Sequence, residues 1–212
     1  MTNHLADPLI RLILLPPAMA TSQDYVEKGF LTLVASLSLP IEVSCIDIGY
    51  EQVMSGTAAN YLHEQIAPKE NERIWLGGIS LGAFNALQFA ASYPTVVERL
   101  VLFAPYAGTS DVLSAITDNQ GIPAEWQTDT TLTDERRWWG WLGNPLLAKP
   151  TIDLWLSEKD RFLAGQQLLE KYLPNTKAQW LPGKHEWPVW QQMWLAWVNT
   201  VLTPPFTQAS HP

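Results

Sequence analysis

The residues best placed to do chemistry are Gly78-Ile79-Ser80-Leu81-Gly82. A serine in the spacing Gly-x-Ser-x-Gly can stand on a turn tight enough to lift its hydroxyl clear of the backbone. The small flanking residues let the strand before it and the helix after it approach each other. At the start of a helix that hydroxyl meets free amides and the positive end of the helix dipole, which favour developing negative charge. The competing role for Ser80 is a plain helix cap in a glycine-rich turn. Context favours the nucleophile, because an apolar run (73–77) precedes the motif and a helical pattern (81–93) follows it.

A serine hydroxyl is a weak nucleophile at neutral pH and needs an adjacent base. The chain has four histidines. His4 and His211 fall in tails expected to fray (1–8 and 203–212), and His63 lies in a helical pattern (57–67) as a solvated residue. His185 follows the last apolar run, in Trp180-Leu181-Pro182-Gly183-Lys184-His185-Glu186-Trp187, and is the expected base. The acid that orients such a base should lie between serine and histidine in chain order. Asp153 falls inside an apolar run, whereas Glu158 and Asp160 fall in the turn after it. Asp160 is the expected acid, with Glu158 second and Asp111 a distant third. Asp160 could instead cap the next helix, and can do both only if its second oxygen stays free.

These side chains need a scaffold. Short apolar runs at 9–15, 41–48, 73–77, 99–104, 151–156 and 177–181 alternate with helical patterns at 22–39, 57–67, 81–93, 163–172 and 188–202. Strand and helix in alternation predict an α/β fold with a parallel sheet between two helical layers. The rhythm stops between 106 and 150, a stretch too long for an ordinary loop. It reads as an insertion after a strand's carboxyl end, where open α/β sheets bind ligands, and hence as a lid. Within it lie Trp138, Trp139 and Trp141, beside Arg136 and Arg137. Consecutive tryptophans on a helix point in different directions, so one or more of the three is expected either to line an acyl pocket or to pack the lid on the sheet. Trp155, Trp180, Trp190, Trp194 and Trp197 fall in strands or at helical spacing and read as core. Cys45 reads as a buried, inert thiol.

With its serine turn, Asp160 after the next-to-last run and His185 after the last, the chain resembles the α/β-hydrolase superfamily over about residues 9–202. Gly183-x-His185-x-Trp187-x-x-Trp190 is also similar to the histidine segment of enterochelin-esterase and S-formylglutathione-hydrolase type esterases. The resemblance implies a three-layer sandwich around a mainly parallel six-stranded sheet of order 2-1-3-4-5-6, without the first two strands of the usual eight. It further implies a serine hydrolase that cleaves small to medium carboxylic esters through an acyl-enzyme. A thioesterase or acyltransferase would use the same triad; a non-catalytic binder would have no need of it. Family members commonly carry His-Gly after the first parallel strand, and the next amide completes the oxyanion hole. Here the residues are Pro16-Pro17-Ala18-Met19, and neither proline has an amide hydrogen. Ala18 N–H is the expected donor, with Met19 next, alongside Leu81 N–H.

Composition limits the other classes. Thirteen Lys+Arg against 21 Asp+Glu give a net charge of −8, which opposes nucleic-acid and anionic-membrane binding. With 212 residues, 47% of them hydrophobic, and one cysteine, the chain suits a single domain (1–212) with no disulfide framework. Histidine and cysteine spacing gives no metal-ligand set, and Gly77-Gly78-Ile79-Ser80-Leu81-Gly82 lacks a dinucleotide pattern, so no cofactor is expected. Ala18-Met19-Ala20 resembles a signal-peptidase site, but the charge-free core before the prolines (12–15) is far shorter than the ~7–15 residues of a secretory segment. That stretch is expected to be a buried strand and the protein cytoplasmic.

Overall fold

Alternate side chains of the first strand enter opposite cores. Ile13 and Leu15 join one hydrophobic cluster, and Leu12 and Leu14 join the other. A strand buried on both faces belongs inside a parallel sheet covered by helices on each side. The computed structural model describes residues 9–37, 39–69, 72–173 and 176–203; the tails with His4 and His211 lie outside the described residues. Six strands are present among them: β1 (Ile10–Leu15), β2 (Ile41–Cys45), β3 (Arg73–Ile79), β4 (Val97–Phe103), β5 (Thr151–Ser157) and β6 (Gln179–Leu181). They form one sheet of order β2-β1-β3-β4-β5-β6, and all five neighbouring pairs are parallel.

The helices are α1 (Ser22–Glu27), α2 (Phe30–Ala35), α3 (Tyr50–Met54), α4 (Ala58–Ile66), α5 (Leu81–Ser92), α6 (Ser110–Asp118), α7 (Ala124–Thr128), α8 (Glu135–Gly143), α9 (Leu163–Tyr172) and α10 (Trp187–Trp197), the last closed by a π turn at Val198–Leu202. Apolar residues of α4, α5, α6, α8 and α9 cover one face of the sheet. Tyr25 of α1, Phe30 and Val34 of α2, and α10 cover the other. The expected three-layer architecture and strand order are therefore both present.

The continuous helix expected over 22–39 is two helices, broken where Gly29 takes φ 81°. Trp180, expected in the core, is 36% exposed because β6 is a three-residue strand at the sheet edge. Among the described residues no helix is long and apolar enough to cross a membrane.

Candidate active site

Ser80 occupies φ 54°, ψ −112°, a setting that costs a non-glycine residue on the order of 1–3 kcal/mol. Backbone hydrogen bonds hold it there. Its N–H donates to the Phe103 carbonyl (3.0 Å), and its carbonyl accepts from Phe84 N–H (3.1 Å) and Tyr106 N–H (3.2 Å). The flanking glycines let α5 approach: a Cβ on Gly82 would overlap the Leu15 carbonyl oxygen, and one on Gly78 the backbone of Gly82 and Ala83. The turn between β3 and α5 thus has the strained form the motif predicts.

The loops after β5 and β6 are tied together beyond the strands themselves. Glu158 N–H donates to the Leu181 carbonyl (3.1 Å) and Lys159 N–H to the Gly183 carbonyl (2.9 Å). That pairing sets Asp160 beside His185. The imidazole is held edge-on between Phe162 (5.0 Å, 88°) and Trp190 (4.9 Å, 84°). In this orientation His185 Nε2 lies 2.9 Å from Ser80 Oγ, and Nδ1 lies 2.8 Å from Asp160 Oδ2. A carboxylate can only accept, so Nδ1 carries the proton and Nε2 is left to accept from the serine hydroxyl.

Asp160 is not the cap of α9, whose N-cap is Phe162 with no side-chain cap bond; it closes the turn before that helix. Oδ1 accepts from Phe162 N–H (2.8 Å), which leaves Oδ2 for His185 and, at 3.3 Å, the Ser157 hydroxyl. Burial by itself pushes the Asp160 carboxyl upward, but hydrogen bonds from His185, the Phe162 amide and the Gln166 side chain outweigh it and hold the group below the usual aspartate value. The competing carboxylates are placed elsewhere. Glu158 and Asp111 are exposed, and Asp153 pairs with Arg99 (2.7 Å) while accepting from Trp197 Nε1 (2.8 Å). His63 stacks on Tyr93 (4.3 Å), away from this cluster.

Ala18 and Leu81 line the same cavity, of about 350 Å³, together with Pro16, Met19, Tyr50 and Asn85. Ala20 N–H closes a turn onto the Pro17 carbonyl (3.2 Å), with Met19 at φ 63° and fully exposed. Among the described residues neither the Ala18 nor the Leu81 amide donates to another backbone group. A second cavity, also of about 350 Å³, shares Tyr50, Val53, Leu81 and Asn85 with the first and runs along α5 to Thr133 and Glu135.

Of the two roles open to the three tryptophans, lining the acyl pocket is the one to correct. Trp138, Trp139 and Trp141 line neither cavity and are 0%, 0% and 2% exposed. Trp138 and Trp139 stack on each other (4.6 Å, 26°), and α8 is covered wherever the three side chains face. Trp138 meets Phe84 of α5 edge-on (6.2 Å), Trp139 meets Tyr172 of α9 (6.2 Å) and donates to the Ala107 carbonyl (3.0 Å), and Trp141 Nε1 donates to the Ala148 carbonyl (3.3 Å). Arg136 pairs with Asp134, and Arg137 donates to the Ala91 carbonyl (3.3 Å). The segment 106–150 still reaches the cavity, through Tyr106, Thr109, Thr133, Asp134 and Glu135.

Residues that sequence reasoning missed are Tyr50, Val53 and Met54 of α3, and Asn85 and Gln88 of α5. For α3 the sequence carried a signal of place, though not of helical form. The apolar residues Tyr50, Val53 and Met54, between Gly49 and Gly56, follow the apolar run 41–48, on the side where such sheets bind ligands.

No protein-family model and no curated protein sequence matches the chain. Solved structures do match its shape. Fluorophosphonate-binding serine hydrolase F of Staphylococcus aureus is 15% identical with TM-score 0.61, over 92% of this chain and 85% of that one. S-formylglutathione hydrolase of Staphylococcus aureus is 14% identical with TM-score 0.61, over 90% and 83%. Carboxylesterase CesB of Bacillus subtilis is 17% identical with TM-score 0.57, over 91% and 83%. Together with the parallel sheet and its strand order, these likenesses show that the chain has the α/β-hydrolase fold.

Proposed function

We propose that the chain is a serine hydrolase that cleaves carboxylic esters of small to medium, uncharged acyl chains through an acyl-enzyme. The observation that carries this reading is the buried chain of contacts Ser80–His185–Asp160, at 2.9 and 2.8 Å. Three polar groups joined in that order do what an activated serine requires. His185 Nε2 takes the proton of Ser80 as Oγ attacks the ester carbonyl, and Asp160 holds the ring and stabilises its charged form. The Ala18 and Leu81 amides are the proposed donors to the oxyanion, each worth about 10²–10³ in rate. His185 then protonates the leaving alcohol, and water attacks the acyl-serine with the same histidine as base. The names of the structural neighbours, serine hydrolases and a carboxylesterase among them, agree with this chemistry.

The acyl chain is assigned to the cavity along α5, whose walls include Val53, Met54, Phe84 and Tyr106. Apolar walls favour longer chains by about 0.8 kcal/mol per methylene until the space is filled. A p-nitrophenyl ester series should therefore rise and then fall in kcat/KM, and acid quenching should trap an acyl group on Ser80 detectable by mass. Absence of both turnover and acyl adduct across esters and acyl-thioesters would overturn the reading.

A further inference from the structure

Helix α5 is apolar from Leu81 to Ala91 except at Asn85 and Gln88. Both amides fall on the stripe that faces the second cavity, with Leu81 and Phe84. They are buried, at 3% and 5% exposure. Gln88 Nε2 donates to the Thr133 carbonyl at 3.0 Å, which fixes Oε1 as an acceptor, and that oxygen has no partner among the described residues. Asn85 Oδ1 has none either. Roughly 90% or more of buried polar groups are hydrogen-bonded, and an unmet one is costly. Other buried groups are also unmet, Gln166 Oε1 among them, but these two acceptors sit one turn apart on the cavity-facing stripe of α5 and point to a partner that enters with the ligand.

The charges around the cavity set the sign of that partner. Glu135 and Asp134 line it, and among the described residues no Lys or Arg does. Glu135 is buried and accepts from Thr109 N–H (2.7 Å) and Oγ1 (2.8 Å), while Asp134 is paired with Arg136. Such a wall repels an anion and rewards a donor.

We propose that Asn85 and Gln88 form a specificity subsite that selects an acyl chain carrying a hydrogen-bond donor, a hydroxyl or amide N–H, over a plain alkyl chain or one ending in a carboxylate. The proposal rests on Ser80 being the nucleophile. At about 1.5 Å per residue, Asn85 lies about 7.5 Å and Gln88 about 12 Å along the helix from Ser80. The donor therefore belongs at the middle or far end of a medium-length chain, away from the reacting carbonyl.

The test uses p-nitrophenyl esters of matched length with methyl, hydroxyl or carboxylate ends: heptanoate, ω-hydroxyhexanoate and the adipate monoester. The same three ends on a decanoyl-length chain reach Gln88. The wild type should rank them hydroxyl, methyl, carboxylate in kcat/KM, with hydroxyl over methyl by about tenfold or more. Asn85→Leu should lower the hydroxyl-to-methyl ratio by about tenfold on the shorter chain, and Gln88→Met on the longer one. A merely structural role would lower all esters together and leave the ratio in place. Fluorophosphonate labelling of the same preparation separates the two claims. A labelled wild type that prefers the methyl end, with a ratio neither variant moves, overturns the subsite alone. A protein neither labelled nor active on any ester overturns the nucleophile and the subsite with it. Should Asn85→Leu fail to fold, the wild-type ranking and Gln88→Met decide.

Discussion

Helix α8 packs three tryptophans into nine residues, whereas the Ser80–His185–Asp160 cluster gathers three polar side chains from loops as far as 105 positions apart. The two regions use burial for opposite ends. In α8 the large side chains fill space between α5 and α9, and their indole N–H groups are met where a carbonyl is in reach, as at Trp139 and Ala107. In the polar cluster the surrounding rings of Phe162 and Trp190 hold an imidazole in one orientation, and Asp160 keeps its charge through the hydrogen bonds it accepts. Dense aromatic content therefore marks the core here, and sparse polar content marks the site.

Substitutions should divide along the same line. Asp160→Asn should lower kcat by about 10⁴ by favouring the wrong histidine tautomer, while Glu158→Gln should leave kcat near wild type. A crippled Glu158→Gln beside a healthy Asp160→Asn would reassign the acid. Trp139→Ala should act through packing instead and destabilise the fold by about 3–5 kcal/mol in urea titrations. The molecules that remain folded should keep the wild-type dependence on acyl length. A shifted length optimum would return Trp139 to the acyl pocket.

Acid titration sharpens the comparison further. Asp160 is held below its unfolded value of about 3.9. The stability it contributes is present above that value and is lost as pH falls through the lower native one. Urea midpoints measured from neutral to acid pH should therefore fall more steeply in wild type than in Asp160→Asn, with the difference confined to the range at and below about pH 4. Parallel curves would show that Asp160 is not held below its unfolded value. Met54, two-thirds exposed on the cavity rim, should matter least. Met54→Ala should raise KM a few-fold for the longest accepted esters and leave kcat unchanged; a change in kcat with KM constant would place Met54 nearer the reacting atoms.

Much of this was written locally in the sequence. Gly78 and Gly82 announce the turn at Ser80 because the close approach of α5 to Leu15 admits no side chain. Alternation of short apolar runs with helical patterns is enough to place all six strands, since each is buried on both faces or pairs at an edge in chain order. What the sequence conceals depends on what covers each element. The inward fate of all three α8 tryptophans depends on neighbours from α5 and α9, which no spacing within α8 encodes. The same holds for α3: it is five residues long, too short for periodicity to reveal, and only the sheet's carboxyl-end geometry makes it a cavity wall. Asn85 and Gln88 read as ordinary polar residues until the helix around them proves buried.

Treatment with a fluorophosphonate, followed by peptide mass mapping of wild type and His185→Ala, tests the central claim most directly. If Ser80 is activated through His185, wild type acquires one adduct, on the peptide containing Ser80, and His185→Ala acquires it slower by several orders of magnitude. An adduct on another serine, or equal labelling of Ser80 in the two proteins, would contradict the account.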